Sequence, residues 1–185
     1  MKQRTKRRLF RSVSIVAGIA TLWFLAILPG FRNVYQKERD YSYGSYISKS
    51  ERQTIKEETA GMNEDGIRRY ALSFIDRKCR YSYPKQDYAT GRVNCTGYAK
   101  IYADVYNTAM RSAGLGYKAR PVAGDVKWYG ISVCKLLVTI VPTRLTGWVG
   151  DHDFVMIFNP KGEKHIQLDP CFHDLIGSDL HHKQD

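Results

Sequence analysis

From residue 63 onward the apolar positions follow a helical period. Ile67, Tyr70, Ala71, Phe74 and Ile75 recur at spacings of three and four, which predicts a helix over residues 64–80 with one apolar face. Pro84 and the polar stretch 85–92 read as a loop. A second stripe then runs through Tyr98, Ile101, Tyr102, Val105, Ala109 and Met110. Asn94 is a good N-cap for it, so Cys95 becomes the first residue of that helix. Gly114 and Gly116 supply a left-handed stop. Beyond them the pattern turns to β: a strand over 117–123, a β-rich apolar run over 132–141 closed by Pro142, and further strands over 154–158 and 165–168. Helices first and strands afterwards predict an α+β fold, with helices packed on an antiparallel sheet.

The N-terminal part reads differently. Residues 13–29 (VSIVAGIATLWFLAILP) form a run of 17 without a charge, and Leu9 and Phe10 extend it backwards past Arg11, whose side chain can snorkel. A helix of about 17–25 apolar residues can cross a bilayer. Residues 9–29 are therefore read as a transmembrane anchor behind a basic cytoplasmic segment, 1–8. Lys2, Arg4, Lys6, Arg7, Arg8 and Arg11 precede the run without an acid, whereas Arg32, Lys37 and Arg39 after it are offset by Glu38 and Asp40. That asymmetry places the N-terminus in the cytoplasm and the remainder outside. A cleaved signal peptide is the competing reading, although AILPGFRN holds no good A-x-A site. Residues 30–62 are polar and weakly periodic and read as a stalk, with 50–58 as a short solvated helix. Residues 63–185 form the folded domain.

Composition narrows the classes further. The chain has 185 residues, of which 43% are hydrophobic and 25% charged. These are globular values, which exclude collagen-like, low-complexity and wholly disordered chains. About 120 residues suffice for a core without metal or disulfide staples. The net charge of +11 invites a nucleic-acid reading. More than half of it, +6, sits in the first eleven residues, so it reads as topogenic and lipid-attracted rather than nucleic-acid binding.

Asn159-Pro160-Lys161-Gly162 has the preferences of a type I turn. If it joins two antiparallel strands without a bulge, Phe158 pairs with Glu163, Phe154 with Gln167, and His152 with Asp169. Directly opposed Cβ atoms stand about 4.5–5.5 Å apart, so the turn puts an imidazole beside a carboxylate; a one-residue bulge would break that register. Cys95 supplies the third element. A helix N-terminus and a neighbouring imidazolium both favour the thiolate, and a carboxylate on the other ring nitrogen orients the imidazole. Backbone N–H groups at the helix start can donate to an oxyanion. An inert buried thiol, or half a disulfide, is the bland alternative for a single cysteine.

At these residues the chain resembles the transglutaminase-like superfamily. GRVNCTGYAKIYADVYNTAMRSAGLGYKARPVAG has that family's Cys opening a C-x-G-Y-A helix, a Gly-containing stop and a strand ending near a Gly. GDHDFVMIF and HIQLDP resemble its His strand and its Asp strand. The similarity spans about residues 63–172. It implies a papain-like fold, a Cys95, His152 and Asp169 triad, and acyl transfer from an amide through a thioester without any cofactor. The acceptor is water or an amine, and an extracytoplasmic enzyme would meet protein or peptide amides of the cell surface or cell wall. The sequence departs from the family in having Asp153 and Phe154 after His152, where Ala and Trp are usual; Asp153 should point to the opposite face. Tyr83, just before the Cys95 loop, is the oxyanion candidate, with plain packing as its other reading.

Three alternatives stand beside this one. A papain-like cell-wall peptidase would use His165 as its second polar residue. A non-catalytic binding module would keep the fold without turnover. Cys171, His173, His181 and His182 could in principle ligate a metal, but their spacing is not that of a zinc finger or a helical H-E-x-x-H pair. Of Cys79, Cys134 and Cys171, two could pair outside the cytoplasm, Cys134 with Cys171 if their strands are neighbours, or all could be reduced and buried. The sequence leaves the oligomeric state open.

Overall fold

The structure, a computed structural model, describes residues 18, 21, 30–38, 46–82, 86–140, 152–176 and 182–183. Most of the expected anchor, residues 83–85 and residues 141–151 lie outside these. Among the described residues no helix is long and apolar enough to cross a membrane.

Three helices precede most of the sheet, each begun by a side-chain cap. Helix α1, Lys49–Glu58, opens with a capping box: Ser48 Oγ accepts the Glu51 amide and Glu51 accepts the Ser48 amide. Helix α2, Glu64–Lys78, begins at Asn63, whose Oδ1 accepts the Gly66 amide. After the short strands β2, Arg80–Tyr81, and β3, Arg92–Val93, comes helix α3, Cys95–Ser112, capped by Asn94 onto Gly97 N. It stops at Gly114, whose φ of 69° is left-handed. The expected cap, first residue and stop of α3 are thus all present.

The sheet contains β1, Phe31–Glu38; β4, Lys118–Trp128; β5, Ile131–Ser132; β6, His152–Phe158; β7, Lys164–Leu168; and β8, His182–Lys183. Its order is β1-β4-β6-β7-β8, with β5 beside β4, and every pair is antiparallel. Helix α3 lies between this sheet and the helices α1, α2 and α5, Pro170–Ile176. Its Tyr98, Ile101, Tyr102 and Val105 are fully buried with Ala119, Val155, Ile157 and Leu168. The other face of the sheet is also buried, around Val122, Phe154, Met156 and Phe158. The reason is curl. β1 is separated from β7 by β4 and β6, yet the Gln167 side chain donates to the Asn33 carbonyl oxygen at 2.7 Å.

Gly124 permits that curl. A Cβ there would stand 2.3 Å from the Val34 carbonyl oxygen and 2.4 Å from the Phe154 ring. The strand expected to end near this glycine instead continues through it to Trp128, since the missing side chain serves an interior crossing and not a stop.

Two other expectations are corrected. The segment 30–62 is not a stalk where it is described. Phe31–Glu38 pairs with β4 along its length, and Ile47 and Ile55 are buried in the α3 core. Arg52 on α1 meets Asp104 of α3 at 3.0 Å, and Glu51 meets Lys78 of α2 at 2.6 Å. The run 132–141 is not a strand: only Ile131–Ser132 pairs, and Val133–Ile140 is helix α4. Ser132 makes the change, its Oγ accepting the Lys135 amide while bonding the buried Asp125 carboxylate at 2.9 Å.

Candidate active site

The hairpin between β6 and β7 decides where His152 can reach. Its turn has the expected bond from Gly162 N to Asn159 O, at 2.9 Å. Gly162 is left-handed, and Asn159 N bonds to Glu163 O, so the turn carries one extra residue. A bulge at His165 adds another, and the ladder then pairs Met156 with Gln167 and Val155 with Leu168. The predicted unbulged register is therefore two residues off. Two single-residue shifts restore the original face, because side chains alternate with a period of two. Asp169 becomes a diagonal rather than a direct neighbour of His152, and the contact survives: His152 Nε2 lies 2.5 Å from Asp169 Oδ2.

Asp169 is fully buried, and its Oδ2 also accepts from Asn33 Nδ2 at 2.7 Å. Asn33 comes from β1, 136 residues earlier, and sequence reasoning missed it. The only sequence signal was a lone Asn at an alternating position in a segment without an evident core period. With Nε2 committed to Asp169, the ring nitrogen left for the thiol is Nδ1, and Cys95 is near enough to the ring to favour its charged form. Burial opposes charge on the imidazole, but the Asp169 carboxylate and the Cys95 sulfur beside it prevail. They hold the His152 pKa well above its ordinary 6.5.

Cys95 occupies the first position of α3, half-buried. Its neighbour Thr96 donates its hydroxyl to Asp153, which is buried on the face of β6 opposite to His152, as expected. Consecutive residues of β6 thus engage consecutive residues of α3. Asp153 has a structural role: it fastens the start of the helix to the start of the strand. The Tyr98 hydroxyl in the same turn donates to Asp174, tying α3 to α5. The Gln86 side-chain oxygen stands 3.2 Å from where a Cβ on Gly97 would lie, so its carboxamide is held over the first turn of α3.

The other three cysteines contrast with Cys95. Cys79, Cys134 and Cys171 are buried and unpaired, and no disulfide joins Cys134 to Cys171. Burial pushes the Cys79 thiol up to about 12 and raises those of Cys134 and Cys171 as well. Cys95 is the one cysteine that is not buried.

The remaining candidates fall elsewhere. His165 sits at the bulge near the turn, its ring 5.5 Å from that of Tyr117, at the opposite end of the hairpin from His152. His173 faces Asp76 at 3.3 Å. Among the described residues no group of three His, Cys, Asp or Glu side chains is arranged to hold a metal. Tyr83 and His181 lie outside the described residues.

The structure supplies a half-exposed sulfur, an imidazole beside it, and a buried carboxylate fixed behind the ring. Such a set can form and break an acyl–sulfur bond. Compared with protein-family models, with curated proteins and with solved structures, the chain has no match.

Proposed function

We propose that this chain is a membrane-tethered, extracytoplasmic cysteine enzyme with a transglutaminase-like, papain-like core, acting on amide bonds of proteins or peptides. The observation that carries the reading is the 2.5 Å contact from His152 Nε2 to Asp169, made by a ring whose pKa the neighbouring Cys95 helps to raise. The charge asymmetry around the apolar run supports the topology.

Cys95, as thiolate, attacks the amide carbonyl carbon, and N–H groups of the first turn of α3 receive the developing oxyanion. The C–N bond breaks as His152 gives its proton to the departing amine, leaving a thioester on Cys95. Water or a second amine then attacks this carbonyl, returns a proton to His152 and frees the sulfur. Asp169 keeps the ring oriented throughout. The reading that uses His165 draws no support from its place near the turn, and Asp169 is the preferred partner.

Mass spectrometry of the full-length protein incubated with peptide amide donors and a primary amine tests the reaction. The expected result is a thioester adduct on Cys95, plus hydrolysis or cross-linked product, all lost in Cys95→Ala. A Cys95 that reacts with iodoacetamide near neutral pH no faster than a free thiol, with no adduct, would favour a binding module instead.

A further inference from the structure

The β4–β5 connection is a two-residue turn. Tyr129 and Gly130 both have positive φ, 46° and 88°, between the paired residues Trp128 and Ile131. Asn or Gly ordinarily fills the first such position, because an L side chain is strained there. Here a tyrosine is held in that conformation and stands 63% exposed. Five large apolar side chains are exposed among the described residues; three of them, Trp128, Tyr129 and Ile131, belong to this turn, and a fourth, Leu136, to the helix that follows it. The Phe31 ring is 6.5 Å from that of Trp128, which is 5.4 Å from that of Tyr129. Lys127 and the exposed Lys135 flank the cluster.

The chain's path indicates what this corner meets. Tyr129 N donates to the Gly30 carbonyl oxygen at 2.9 Å, and a Cβ on Gly30 would lie 2.4 Å from the Tyr129 ring. Gly30 directly follows the apolar run 13–29. If that run crosses a bilayer as far as its last residue, Pro29, the turn is within one residue of the exit. Aromatic side chains with a polar edge favour the headgroup region, and lysines beside them can reach lipid phosphates.

We propose that the Phe31–Trp128–Tyr129–Ile131 corner beds into the outer lipid surface and thereby holds the Cys95–His152 site at the membrane. The inference rests on the proposed anchoring. It also narrows the substrate to amides borne on membrane-anchored molecules. His152 is paired with Gly124, four residues along β4 from Trp128, or about 14 Å. The site therefore lies within reach of a group projecting from the lipid surface.

The test uses the full chain in vesicles of phosphatidylcholine and phosphatidylglycerol carrying brominated acyl chains. Trp23→Phe with Trp148→Phe leaves Trp128 as the reporter, and Trp128→Phe with Trp148→Phe leaves Trp23. The expected result is loss of Trp128 emission, strongest for bromines near the headgroups, together with quenching of Trp23. Adding Tyr129→Glu and Ile131→Glu, with the far-ultraviolet dichroism unchanged, should remove the quenching of Trp128 and spare that of Trp23. An unquenched Trp128 beside a quenched Trp23 overturns the corner's contact while leaving the anchor intact. An unquenched Trp23 overturns the anchor, and this inference with it.

Discussion

Asp169 binds two donors with one oxygen: the His152 ring, which the proposed chemistry uses, and the Asn33 amide, which it does not. Replacing Asp169 by Asn removes the charge that outweighs burial at His152, so the imidazole pKa falls. The alkaline limb of the rate profile, where the imidazolium loses the proton it must donate, should move to lower pH. The rate near neutrality should fall by about 10²–10⁴-fold. A pH series of amide turnover checks both, and an unmoved limb would remove Asp169 from that role. Asn33→Ala should leave the pH limb nearly in place and cost roughly 10-fold in turnover, as the loss of a group that only orients another does. Denaturant unfolding should show a further loss of about 1–3 kcal/mol, because a buried acceptor loses its donor.

At the level of elements, what was legible followed from local chemistry. The cap at Asn94, the buried stripe of α3 and the stop at Gly114 depend on neighbours within a turn, and all stood in the sequence. The hairpin shows the limit. Its turn type was readable from Asn159 to Gly162, but the bulge at His165 depends on packing between strands and was not. The right pair emerged from the wrong register because two insertions cancel in parity. The 132–141 run failed for another reason. Its β-branched residues favour a strand, and Ser132, bonded to Asp125 seven residues back, diverts the chain into a helix. Gly124 carries a prediction at this scale. Gly124→Ala puts a methyl group against the β1 backbone and the Phe154 ring, and should cost about 1–3 kcal/mol in urea unfolding. It should also lower turnover by pushing β1, and Asn33 with it, away from Asp169.

For the whole molecule the main correction is where the domain begins. The polar segment after the apolar run concealed an edge strand and a core helix, because β1 alternates weakly and α1 buries little besides Ile55. Ile55→Ala should therefore cost about 2–5 kcal/mol, as in a core, rather than the near-zero of a linker. Thermal or urea unfolding of the full chain distinguishes the two. The position of β1 also bears on how such an enzyme could be set free. A protease cutting between residues 31 and 38 would not release a working catalyst from its leash. It would withdraw the outermost sheet member and, with it, the amide that steadies the acid. On the proposed reading the tether and the machinery share one stretch of polypeptide, so shedding by a cut there would also switch off the proposed activity.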